Sequence, residues 1–176
     1  MTMPTVTITA RGIERLTSGH LWIYRSDVLP PGGIEPGVVR VIDKKHHFWG
    51  QALYSDQSQI TLRLLTRDDR PFDAAFLAER IHTAAAFRQQ VARGAQAYRL
   101  VASEGDLLPS LIIDRYGDCF VIQTLSQGME RFKSTVVEIL QKEYAPRAIL
   151  ERNDVAVRAL EGLPELSGVL AGEEIG

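Results

Sequence analysis

The stretch from Tyr98 to Asp118 limits what this chain can fold into more than any other. Arg99 to Ala102 and Leu111 to Ile113 are apolar runs of strand length, and Gly105 and Pro109 break the chain between them. Asp114-Arg115-Tyr116-Gly117-Asp118 then reads as a turn into a third apolar run, Cys119 to Leu125. Three short strands joined by acidic turns predict the middle of a sheet. Glu104, Asp106, Asp114 and Asp118 offer oxygen ligands of the kind a divalent ion takes. Turns recruit the same residues, because Asp bonds its own backbone and Gly supplies left-handed geometry. The spacing matches no ion-binding loop, so the carboxylates are assigned to turns and no metal site is expected.

The flanks differ in character. Val6 to Thr9 alternates apolar and polar residues, as a half-buried strand does, and Gly12 to Ser18 suits a short helix closed by Gly19. His20 to Arg25 is aromatic-rich and reads as extended. After the Pro30-Pro31-Gly32-Gly33 break come three strand candidates: Val38 to Ile42, Phe48 to Tyr54 and Ile60 to Leu65. Asp43 to His47 forms the polar hairpin tip between the first two. A small β-barrel or sandwich accommodates so many short strands. Arg67 to Pro71 reads as a junction. Beyond it Asp73 can cap a helix stapled by Phe72 and Leu77, with apolar spacing through Val91 and a stop at Gly94. Met129, Phe132, Val136, Leu140 and Tyr144 mark a second helix, and Ala148 to Leu150 a further strand. Asp154 can cap a last short helix, and the residues past Leu166 read as a small, acidic linker.

Three segments, in this order and separation, resemble one family: Ser18-Gly19-His20-Leu21-Trp22-Ile23-Tyr24, the stretch Tyr98 to Asp118, and Arg152-Asn153-Asp154-Val155-Ala156-Val157-Arg158. The family is the S-adenosylmethionine-dependent methyltransferases of large-subunit ribosomal RNA that act on carbon 5 of cytosine. The chain departs from it at Leu107 and Ser110, where glycine is usual, and at Leu21, where proline is common. The resemblance implies an α+β chain with a PUA-like RNA-binding barrel over residues 1–70, a small α/β domain over 71–166 and a linker over 167–176. It implies ribosomal RNA as partner and leaves a homodimer open. The chain stops where the resemblance would place the methyltransferase domain. A Rossmann-like domain is therefore expected to be absent, S-adenosylmethionine to belong to a longer parent protein, and this chain alone to be inactive.

Bulk properties agree with a soluble globular chain: 45% of the 176 residues are hydrophobic, and no run approaches a membrane span. No secretory signal opens the sequence, and a single cysteine suits a reducing cytoplasm. The net charge of −2 divides into +2 up to Phe72 and −4 beyond it. That is far below the basic footprint of a dedicated nucleic-acid binder.

Methylation at carbon 5 of cytosine requires a thiolate to add at carbon 6. Cys119 is the only thiol and lies in an apolar run with no basic neighbour in sequence, so it reads as structural and no catalytic residue is assigned. No glycine-rich turn between a strand and a helix offers a donor site. Adjacent His46 and His47 lack a third ligand nearby in sequence. RNA contact is the function left. Trp22 and Tyr24 are candidates to stack bases, and Arg11, Arg15, His20, Arg25, Lys44 and Lys45 to meet phosphate. Trp22 is equally suited to filling a barrel core. The alternatives are a free-standing RNA-binding adaptor and, from another class, a small metal-dependent hydrolase built on Asp106 and Asp114.

Overall fold

A computed structural model describes residues 3–174. The first sheet contains β1 (Thr5–Thr7), β2 (Trp22–Tyr24), β3 (Gly37–Ile42), β4 (Phe48–Tyr54) and β5 (Ile60–Thr66), in the order β1-β3-β4-β5-β2. The pairings are antiparallel except β1 with β3, which is parallel. The chain after β2 returns to β1 through an Ile8–Val28 bridge and the Leu29 N–H bond to the Thr7 carbonyl, closing the sheet into a barrel. Period-two alternation turns Val39, Val41, Ala52 and Leu62 into its core, where Val6, Ile8 and Ile23 meet them. Helix α1 (Ala10–Thr17) seals one end with Leu16. It begins two residues before the expected start because Thr9 caps it through Gly12 N–H.

The second sheet contains β6 (Ala97–Ala102), β7 (Leu111–Tyr116), β8 (Cys119–Thr124), β9 (Ala148–Arg152) and β10 (Ser167–Gly172), in the order β10-β9-β8-β7-β6. The expected turn from Asp114 to Asp118 is shorter than the sequence suggests. Asp114, Arg115 and Tyr116 stay in β7, and only Gly117 and Asp118 form the hairpin loop, with φ 61° at Gly117. Glycine is favoured at that first central position, where a left-handed residue matches the strand twist. The stretch read as a linker from residue 167 pairs antiparallel with β9 as an edge strand.

Strands β8 and β9 are parallel and joined through helices α3 (Gln127–Glu130) and α4 (Lys133–Tyr144). This crossover is the strand–helix–strand unit for which the sequence shows no glycine-rich marker. It opens on the Ser126 hydroxyl, which caps α3 through Met129 N–H. The single helix expected over Met129 to Tyr144 is broken at Phe132, whose ψ of 5° leaves the helix while its ring packs edge-on to Phe72 at 4.7 Å. Helix α2 (Ala74–Val91) is capped by Asp73 through Phe76 N–H at 3.0 Å and packs with α4 over the sheet. Among the described residues Asp154 caps no helix. It pairs with Arg152 at 3.0 Å, and a 3-10 turn over Ala156–Glu161 follows without a side-chain cap.

Leu53 and Leu65 of the barrel belong to the core beneath the second sheet, so the two halves share apolar contact. Gly128 allows that approach: a Cβ there would sit 2.9 Å from Leu53 Cβ and 3.2 Å from the Tyr54 carbonyl oxygen. Polar bridges add to it. The buried Arg63 and Glu161 pair at 2.8 Å, the Gln127 amide oxygen accepts Asp56 N–H at 2.9 Å, and Arg131 reaches Glu35 at 3.3 Å. Among the described residues no helix is long and apolar enough to cross a membrane.

Candidate nucleic-acid interface

The candidates for RNA contact fall into three groups. Arg11, Arg15 and His20 line an open cleft of about 240 Å³ beside α1. Both arginines face Asp27, which is 1% exposed: Arg15 Nε lies 2.6 Å from one carboxylate oxygen and Arg11 Nε 3.8 Å from the other. The Arg15 guanidinium also lies over the Tyr24 ring at 4.6 Å, joining this group to β2. Arg25 belongs elsewhere, since its guanidinium donates to the Asp56 and Ser58 carbonyls at 2.6 and 3.2 Å. Lys44 and Lys45 stand exposed at the β3–β4 tip, with no ion pair to either among the described residues.

Asp43 holds that tip. Burial works to raise its pKa, but bonds from His47 N–H, the His47 ring, the Trp49 indole and Lys45 N–H bring it down to about 2. The turn is therefore anchored by an ionised carboxylate, and the lysines point away from it into solvent. The strand registers set Trp22 level with Arg63, Leu53 and Val38, whereas the tip follows the Ile42–Phe48 pair, so the lysines stand apart from the ring along the strands.

Trp22 is 38% exposed, on the face of β2 opposite the buried Ile23. It does not fill the barrel. Its indole N–H donates to Glu104 of the second half at 2.9 Å. By sequence, Glu104 is only a turn residue or a cation ligand. A contact across 82 positions leaves no local signal.

The remaining acidic turn residues are held by arginines. Asp106 takes both ends of the Arg88 guanidinium at 2.8 and 2.5 Å, Asp114 takes Arg99 at 2.9 and 3.1 Å, and Asp118 faces Arg147 at 3.6 Å. Leu107 and Ser110, which stand where the resembling family favours glycine, have φ of 55° and 65°. The backbone keeps the glycine geometry without the glycine.

Cys119 is 8% exposed, and the structure supplies the basic neighbour that the sequence lacks: Arg147 Nη2 lies 3.5 Å from Sγ. Sγ is also 3.3 Å from Asp118 Oδ1. A serine hydroxyl would find both partners in place. Cys119→Ser is therefore expected to cost under about 1 kcal/mol in a urea melt, below the roughly 1–3 kcal/mol of an unsatisfied buried hydroxyl. A larger loss would show that the thiol is held by packing alone.

In doubly wound sheets, ligands sit outside the carboxyl ends of the strands. At the ends of β8 and β9 that space is filled by side chains. Arg158, 0% exposed, donates to the Thr124 carbonyl, to Glu130 at 2.9 Å and to the Pro164 carbonyl at 2.8 Å. Lys133 bridges Glu130 and Glu151 at 2.7 and 2.8 Å, and Asn153 accepts Thr124 N–H at 2.8 Å. Burial opposes ionisation of Glu130, but hydrogen bonds from Arg158, Lys133 and Thr124 outweigh it and hold the carboxyl below its usual range. These residues do not fit a nucleotide-type cofactor.

Residues 6–67 match the family model described as a PUA-like domain, and the closed barrel is of that class. Over more than nine-tenths of its length the chain is also homologous to proteins named ribosomal RNA large subunit methyltransferase I. The Shewanella frigidimarina protein is 39% identical over 169 residues, 93% of this chain and 42% of that protein. The Tolumonas auensis protein is 40% identical over 168 residues, 91% and 42%. The chain thus spans under half the length of these curated relatives.

Among solved structures, a candidate SAM-dependent methyltransferase from Streptococcus mutans aligns with TM-score 0.80 and 19% identity over 99% of this chain and 44% of its own. A candidate methyltransferase complexed with SAH gives 0.80 and 20% over the same shares. These alignments overturn the expected absence of a Rossmann-like methyltransferase fold. Nearly the whole chain shares the fold of 44% of these structures, and the mixed five-stranded sheet with its parallel crossover lies within the shared part.

Proposed function

We propose that this chain serves RNA recognition in a SAM-dependent methyltransferase that acts on carbon 5 of a cytosine in large-subunit ribosomal RNA. The observation that carries the reading is the exposed Trp22 on the PUA-like barrel, with Tyr24 on the same strand and the Arg15 guanidinium over the Tyr24 ring; Lys44 and Lys45 stand exposed on a separate hairpin tip of the same barrel. An aromatic face with flanking cations suits a base splayed from single-stranded RNA. The similarity to ribosomal RNA large subunit methyltransferase I supports the substrate class. Asp106 and Asp114 do not favour a hydrolase, because each spends its carboxylate on an arginine.

Titration with a large-subunit ribosomal RNA fragment at several salt concentrations tests the reading. Three or four phosphate contacts give a log–log salt slope of about −2 to −3 on single strands. Lys44→Ala and Lys45→Ala are each expected to reduce the slope by about 0.7 where the lysine meets phosphate. Absence of binding at low salt would overturn the proposal.

A further inference from the structure

The second half of the chain reaches Trp22 through the loop from Ser103 to Ser110. Three of its non-glycine residues hold left-handed backbone: Ser103 at φ 51°, Leu107 at 55° and Ser110 at 65°. Such geometry persists only where the surroundings fix it, and it clusters at functional sites. Here the fixing bonds are visible. The Ser103 hydroxyl accepts Ser110 N–H at 2.8 Å and donates to Glu104 Oε2 at 2.5 Å. Asp106, clamped by Arg88, accepts Ala102 N–H at 2.6 Å. The loop is thereby closed at both ends, and Glu104 Oε1 is left to accept the Trp22 indole N–H at 2.9 Å.

Resting on the RNA reading above, we propose that Glu104 is a positioning residue for Trp22, so that the base-stacking surface of the PUA-like barrel is completed by the second sheet. A half-exposed indole on a three-residue edge strand has rotamer freedom that stacking would have to remove. A carboxylate already hydrogen-bonded on its other oxygen fixes the ring before RNA arrives. Binding then loses less entropy, as preorganised sites do. The carboxylate also works against any other role for Glu104 at this surface, since a negative group beside phosphate is unfavourable unless it holds something else.

The test uses the full chain and a double-mutant cycle. Losing a stacked base is worth roughly 5- to 150-fold in affinity, and freeing the ring forfeits part of that. Glu104→Ala is expected to weaken binding of the ribosomal RNA fragment about tenfold with an unchanged salt slope. Glu104→Gln keeps an acceptor and sheds the charge, so it is expected to bind at least as tightly as the parent. In a Trp22→Phe background, where no indole N–H exists, Glu104→Ala is expected to change nothing further. Each variant is checked by thermal melt, and the indole fluorescence of Glu104→Ala, once the Trp49 signal measured in Trp22→Phe is subtracted, should report a more mobile, solvated ring. If the parent chain binds RNA and Glu104→Ala binds equally well, or its loss persists in the Trp22→Phe background, the positioning role is wrong while RNA recognition stands. If the parent chain shows no binding at low salt, both fall together.

Discussion

Arg158→Met is expected to destabilise the protein by about 3–5 kcal/mol, the usual consequence of removing one partner from a buried ion pair. For a chain of this size that lowers Tm by about 6–20 °C. Arg158 is fully buried, and its guanidinium closes the ends of β8 and β9 through Thr124, Glu130 and Pro164. Methionine fills much of the space but leaves the Thr124 and Pro164 carbonyls without a donor and Glu130 with Lys133 alone of its two cations. The stability of the variant should also depend less on pH than that of the parent chain. Glu130 has a lowered pKa in the folded protein, so its contribution is complete above the unfolded carboxylate value and is lost as pH falls through the folded one. Removing Arg158 raises that folded value, which narrows the window and shrinks the contribution. Melts of both proteins between pH 3 and pH 7, taken as about the carboxylate range and its neutral limit, should therefore converge toward low pH. Equal Tm values at neutral pH would show that the network contributes nothing to the fold.

Arg158 also illustrates what a sequence shows and conceals. The run from Arg152 to Arg158 is visible as a motif through resemblance, and its one local reading is Asp154 as the cap of a short helix. The fold divides it. Arg152 and Asp154 pair at the surface, while Asn153 and Arg158 are buried among Thr124, Glu130 and Glu151. Arg11 and Arg15 both face the buried Asp27, a partner that no local pattern announces.

Features set by near neighbours were legible. Strands β3, β4 and β5 fall within a residue of expectation, since alternation and the flanking turns define them, and Asp73 caps α2 from three residues away. Features set at a distance were not. The parallel pairing of β1 with β3, the closure at Ile8–Val28 and the β10 edge strand depend on partners with no local trace. The parallel β8–β9 crossover escapes a reading that looks for a glycine-rich turn, because a serine cap and Gly128 open this one. The break at Phe132 lies inside an unbroken apolar period and comes from the ring's contact with Phe72.

Trp22→Ala is expected to weaken binding of the ribosomal RNA fragment by about 1–3 kcal/mol, the cost of one lost base stack. Composition left the ring divided between core and surface, and its position decides the matter. Ile23 points inward at 1% exposure, whereas Trp22 stands 38% exposed on the other face. Ile23→Ala should cost about 2–5 kcal/mol of stability, as large-to-small core changes do. Trp22→Ala should leave stability within about 1 kcal/mol and act on binding alone. The salt slope separates stacking from charge, because counterion release counts neutralised phosphates and an indole neutralises none. A Trp22→Ala curve parallel to that of the parent chain and displaced by about 5- to 150-fold identifies a stacking contact. A loss of slope would assign Trp22 to placing the neighbouring cations. A folded variant with unchanged affinity would remove the ring from the interface, and the RNA reading would then rest on Lys44, Lys45 and the α1 cleft.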